Sequence, residues 1–65
     1  MSEDRDRLRE WLEAAGLAHR LARFLEQDIQ VWMLSDLTDA DLVELGLSVA
    51  DRERFFEHRA ARRGR

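Results

Sequence analysis

Between Arg5 and Ala15 the apolar residues Leu8, Trp11, Leu12 and Ala15 recur at i, i+3, i+4 and i+7, and most positions between them are arginines and acids. One apolar stripe on a 3.6-residue period predicts an amphipathic helix over 5–15. Gly16 follows, and a residue without a Cβ suits the left-handed stop that ends such a helix. Leu17, Leu21, Phe24 and Leu25 open a second stripe and predict a helix over 17–27, folded back on the first. Ile29, Val31, Leu34 and Leu37 are spaced for burial in a stretch too short for a long helix, so one turn-like helix is expected near 31–35. In Thr38-Asp39-Ala40-Asp41 a hydroxyl can take an orphan first-turn amide while the acid three residues on reaches back. This predicts a fourth helix over 38–45, with Leu42 and Leu45 facing inward. Gly46 ends it, Ser48-Val49-Ala50-Asp51 repeats the start signal, and a fifth helix is expected over 49–61, its adjacent Phe55 and Phe56 both flanking the core. Strand-like alternation is missing, so the fold class is all-α: a five-helix bundle forming a single domain over 1–65. The core is expected over about 6–60, with flexible ends at 1–4 and 62–65.

A 65-residue domain has a small core and is marginally stable alone, so a partner surface would help it. The chain has no cysteine, which excludes a disulfide framework or a thiolate metal site and points to a reducing compartment, the cytoplasm. No apolar run approaches the roughly 20 residues of a membrane span, and Met1-Ser2-Glu3-Asp4 lacks the basic start of an export signal. A soluble, unexported protein is expected. All eleven basic residues are arginine, a usage that suggests a GC-rich, bacterial genome and supplies planar forks suited to bidentate carboxylate contacts.

Charge is distributed unevenly. Residues 1–23 carry five acids and five bases. Residues 24–51 carry Glu26, Asp28, Asp36, Asp39, Asp41, Glu44 and Asp51 with no base, a block of −7. Residues 52–65 carry six arginines against Glu53 and Glu57, a block of +4. The chain is electrically bipolar although its net charge is only −3.

Chemistry of the catalytic kind finds little support. His19 and His58 stand apart from any cysteine or helically spaced ligand, and both are expected in solvent. No nucleophile with a base, no phosphate-binding glycine loop and no paired carboxylates can be assembled, and so small a bundle has little room for a cleft. The expectation is no enzyme, no catalytic residue, no metal, no cofactor and no small-molecule ligand.

The ordered pieces Leu8-x-x-Trp11-Leu12, Gly16-Leu17, Leu21-x-x-Phe24, Ile29, Leu34, Leu37-Thr38, Asp41-Leu42 and Leu45-Gly46-Leu47 together resemble the sterile alpha motif (SAM) family over roughly residues 6–60. The likeness is to bacterial copies fused to larger signalling proteins. It implies a five-helix bundle that binds proteins, commonly another SAM domain, by setting a mid-loop surface against an end-helix surface. Carried onto this chain, the mid-loop surface is acidic and comprises Glu26, Asp28, Trp32, Met33, Asp36 and Asp39. The end-helix surface is basic and comprises Val49, Ala50, Arg52 and Arg54. Trp32 either fills space beneath the first helix or anchors this contact, whereas Trp11, inside a stripe, belongs to the core. Asp51 cuts against a basic end-helix surface unless it serves to cap Ser48. The chain departs from the family at Arg59, where an apolar residue is common, which implies that the last helix leaves the core early. Trp32 and Met33 stand where small or polar residues are usual, which implies exposed apolar surface.

Two rivals follow from the same residues. A few SAM domains bind RNA hairpins, and Arg59, Arg62, Arg63 and Arg65 offer a cationic cluster, although phosphate binding needs a positive stripe on a fold whose pI is about 5.3. The other rival is a bundle that merely spaces its neighbours.

Overall fold

The computed structural model describes the backbone of residues 3–63 and the side chains of residues 3–62. It is helical throughout, with no strand among the described residues. Helix α1 spans Glu3–Ala14. A 3-10 turn, Ala18–Arg20, leads directly into α2, Leu21–Glu26. A second 3-10 helix, Val31–Asp36, is followed by α3, Asp39–Glu44, and by α4, Val49–Arg63. The five-helix all-α bundle is therefore as the sequence predicts.

Local chemistry fixes the starts and stops. Glu3, Asp4 and Asp6 lie in the first turn of α1, where negative charge offsets the positive pole of the helix. At α3 the Thr38 hydroxyl accepts from the Asp41 amide at 3.2 Å while Asp41 accepts from the Thr38 amide at 3.0 Å. Ser48 and Asp51 repeat that exchange at α4, with distances of 3.2 and 3.4 Å. Both capping boxes are those the sequence predicts.

The stops share one geometry. After α1, Gly16 has φ +79°, its amide donates to the Glu13 carbonyl, and the Leu17 amide donates to the Leu12 carbonyl at 2.6 Å. After α3, Gly46 has φ +85°, with matching bonds from Gly46 to Val43 and from Leu47 to Leu42. After α2 the same pair of bonds runs from Asp28 to Leu25 and from Ile29 to Phe24, with Asp28 itself at φ +56°. Each is a Schellman stop, in which one left-handed residue satisfies the helix's last carbonyls and aims the next residue, an apolar one, at the core. Leu17 and Leu47 are buried and Ile29 packs against the core.

That core joins Leu8 and Leu12 of α1, Phe24 of α2, Leu34 and Leu37, Leu42 and Leu45 around α3, and Phe55 of α4. Phe55 is its aromatic centre, with ring centroids 5.0 Å from Trp11, 6.4 Å from Phe24 and 5.4 Å from Phe56. Trp11 and Phe56 are half-buried against it.

Several expectations need correcting. The predicted helix over 17–27 is divided, because its first turn is wound 3-10 before α2 begins at Leu21. Leu25, placed in the buried stripe, is exposed, since α2 turns only Leu21 and Phe24 toward its neighbours. Helix α1 begins at Glu3, two residues earlier than predicted, and α4 runs on to Arg63; Met1, Ser2, Gly64 and Arg65 lie outside the described residues. Nor does α4 leave the core early. Arg59 donates to the carbonyls of Leu34 and Leu37 at 2.9 and 2.8 Å, and its guanidinium lies 5.4 and 4.9 Å from the Phe55 and Phe56 ring centres.

Three substitutions test this account by urea denaturation. Phe55→Ala is expected to cost about 3–5 kcal/mol, enough to unfold most of so small a domain. Gly46→Ala is expected to cost about 1–2 kcal/mol, because alanine must adopt the left-handed conformation. Asp28→Gly should instead gain about 0.5 kcal/mol by relieving the same strain; a loss there would contradict the shared stop geometry.

Candidate protein-binding surface

Of the residues assigned to the acidic surface, Glu26 ends α2, Asp28 follows it, Trp32, Met33 and Asp36 lie in the Val31–Asp36 helix and Asp39 opens α3, and the structure leaves Trp32 outside the core. Its side chain, on the Val31–Asp36 turn, is 68% exposed, which resolves the choice between core and surface. Its neighbour Met33 is half-buried, with the Gln30 amide 3.2 Å from its sulfur. Met33 helps line a shallow groove with Ile29, Leu37 and Leu45, rimmed by Gln27, Asp41 and Glu44. Asp41 and Glu44 were not among the sequence candidates; the signal that could have found them is the α3 period, which turns Leu42 and Leu45 inward and leaves these acids at the groove's edge.

The acids fall into two kinds. Asp28 and Asp36 are exposed and make no ion pair among the described residues. Glu26 lies 3.8 Å from Arg23, and Asp39 is bridged at 2.8 Å by Arg52 of the same chain. Asp39 and Arg52, which the resemblance assigns to opposite surfaces, thus meet within one molecule. Arg52 is further committed to the Leu47 carbonyl at 2.9 Å. On the end-helix side Val49 is 62% exposed and Ala50 and Arg54 are also exposed. Beside Val49 runs a second shallow groove lined by Asp39, Arg52, Glu53, Phe56 and Glu57, which carries more acid than base.

Asp51 is the electrostatic centre of the domain. Only 3% exposed, it accepts from Arg20 Nε at 2.8 Å, lies 3.2 Å from His19 Nε2 and 3.5 Å from Arg54, and caps α4 through Ser48. Burial pushes its carboxyl upward, but bonds from Arg20, the Ser48 amide and His19, together with the charge of His19, outweigh burial and hold the pKa at about 2. His19 is exposed, as expected.

His58 is not. It is half-buried, with its ring 4.6 Å from Trp11 in an edge-on contact and its Nε2 without a hydrogen-bond partner among the described residues. Burial, with Arg62 nearby, pushes its pKa below the ordinary value. The error has a plain cause: His58 stands three residues after Phe55, on the inward side of α4. Arg59, the first member of the proposed RNA-binding cluster, uses its guanidinium internally, as described above.

A further groove, between the start of α1 and the turn after α2, is lined by Glu3, Asp4, Arg5, Asp28 and Gln30 around Leu8, Leu25 and Ile29, with no histidine or hydroxyl nucleophile among the described residues. Among the described residues no group of three or more His, Cys, Asp or Glu is placed to hold a metal ion, and no helix is long and apolar enough to cross a membrane. A small helical bundle bearing an exposed tryptophan and acid-rimmed grooves has the make-up of a protein-binding module. The family model for the SAM domain (sterile alpha motif) matches residues 2–58, and the chain belongs to that family, whose members are protein-protein interaction modules. No curated relative and no solved structure gave a significant match.

Asp51, buried, and His58, half-buried, both cost stability as pH falls, in separate pH windows. Asp51 is depressed in the fold, so its stabilisation is complete above about pH 4 and is lost as pH falls toward 2. Wild-type stability should drop by on the order of 2 kcal/mol over that range, and Asp51→Asn should lose this part of the slope. His58 is a base whose folded pKa is depressed, so the neutral form is favoured by folding and stability falls as pH drops below the ordinary histidine value of about 6.5. Replacing the unpartnered imidazole by His58→Phe should raise stability by about 1 kcal/mol and flatten the profile between pH 7 and 5; thermal melts across that range decide it.

Proposed function

We propose that this domain joins SAM domains head to tail, its own copies included, by setting an acidic mid-loop face against a cationic end-helix face, and that it catalyses nothing. The observation that carries this reading is Trp32: a tryptophan 68% exposed, next in sequence to Met33, which lines a groove with Ile29, Leu37 and Leu45, costs free energy in water that an interface would recover. Val49, exposed on the first turn of α4, offers a small apolar knob for such a groove. Exposed ion pairs alone contribute only about 0.2–1 kcal/mol each, so the apolar contact supplies affinity while charge supplies orientation.

Two different faces on each copy cannot close into a two-fold dimer, and they propagate as a ring or filament. In a cytoplasmic setting, consistent with the absence of cysteine, such an assembly would raise the effective concentration of a fused signalling protein. The RNA-binding alternative is weakened by the internal use of Arg59.

Light scattering against protein concentration tests the reading. The wild type should grow in size with concentration and shrink with added salt, and Trp32→Ala should weaken assembly about thirtyfold, the usual loss for a central aromatic contact of about 2 kcal/mol. A wild type that stays monomeric at high concentration and low salt sinks self-association and leaves a heterotypic SAM partner to be sought by titration.

A further inference from the structure

Of the two cations the linear sequence marks for an acidic partner, Arg52 and Arg54, only Arg54 is open to solvent. Arg52 lies against Asp39 and the Leu47 carbonyl and is mostly covered. Arg54 points elsewhere. Its Cδ lies 3.5 Å from where a Cβ on Gly16 would stand, and its guanidinium reaches Asp51. Arg23 is seated the same way on the other glycine stop, with Nε 3.6 Å from the corresponding point on Gly46. Arg20, one turn before Arg23, is fixed by Asp51 at 2.8 Å.

Both glycine stops therefore seat an arginine, Gly16 the stem end of Arg54 and Gly46 the guanidinium of Arg23, and one buried carboxylate anchors two of the three guanidinium groups. The side chains of Arg23 and Arg54 are still 60% and 54% exposed. Among the described residues the carboxylates paired with this group are Asp51, which is buried, and Glu26, at 3.8 Å and exposed. Glu57 also lines a groove with Arg54, so the exposed acids here are Glu26 and Glu57 against three arginines and the neighbouring His19, and the charge facing solvent is positive. This is a held surface, in contrast to a set of freely rotating chains.

We propose that Arg20, Arg23 and Arg54 form the cationic face, that its occupant is the acidic mid-loop face of a second copy, and that Arg52 is an internal brace. The occupant follows from charge: Asp36 and Glu44 are exposed acids without an ion pair in their own chain among the described residues, Glu44 on the rim of the apolar groove and Asp36 at the end of the 3-10 helix that carries Trp32. This assignment rests on the head-to-tail reading.

Sedimentation against concentration, with thermal melts as the folding control, tests it. Arg23→Glu/Arg54→Glu should raise the concentration for half-assembly about tenfold or more, and Arg23→Glu alone, which leaves Asp51 untouched, should act in the same direction. Arg52→Gln should lower the melting midpoint yet leave half-assembly within about twofold of wild type. Mixing Arg23→Glu/Arg54→Glu with Asp36→Arg/Glu44→Arg should give a capped one-to-one dimer, since each retains one intact face. Assembly that survives Arg23→Glu/Arg54→Glu, or that a folded Arg52→Gln abolishes, overturns the assigned face while the head-to-tail reading stands. A wild type monomeric at every concentration overturns both.

Discussion

Three of the helices in this domain end in the same way, and the core depends on that ending. At Gly16, Asp28 and Gly46 the chain turns left-handed, closes the last carbonyls of the helix, and sends Leu17, Ile29 or Leu47 inward. A domain of 65 residues has little interior to spare. By making each connection contribute an apolar side chain, the stops turn what would be surface loop into packing.

Charge does a second structural task that net charge conceals. Asp51 holds the start of α4 against the 18–20 turn, Arg52 holds it against the start of α3, and Arg59 holds its middle against the carbonyls of the Val31–Asp36 turn. Short 3-10 helices leave carbonyls without intrahelical partners, and a guanidinium can satisfy two of them while its stem and face pack on aromatic rings. The arginine that looks misplaced in the final stripe is thus part of the core's edge.

The fold was legible because its signals are local: two glycines, two hydroxyl-to-acid capping boxes and apolar stripes at helical spacing. What escaped was either non-local or chemically ambiguous. Asp28 gives no glycine to announce its left-handed turn. His58 and Arg59 share the inward side of α4 with Phe55, but residue type argued for solvent more strongly than position argued for burial. The pairing of Asp39 with Arg52, and of Asp51 with residues 19 and 20, depends on how the helices pack, and no pattern along the chain encodes it. The groove acids Asp41 and Glu44 were visible as charges, yet only the packed α3 places them on a rim.

The sharing of one buried carboxylate has a consequence for how this sequence can drift. Losing Arg20 removes the shortest of the contacts that hold the buried Asp51 charge, and losing Asp51 leaves Arg20 without its partner and unties the cap on Ser48, so neither position changes by itself without cost. Substitutions at 20 and 51 are expected to be tolerated as pairs, while 23 and 54, anchored more loosely, can vary singly. Within a single end of the bundle, one set of positions is locked for folding and its neighbours are left open to retune whom the domain meets.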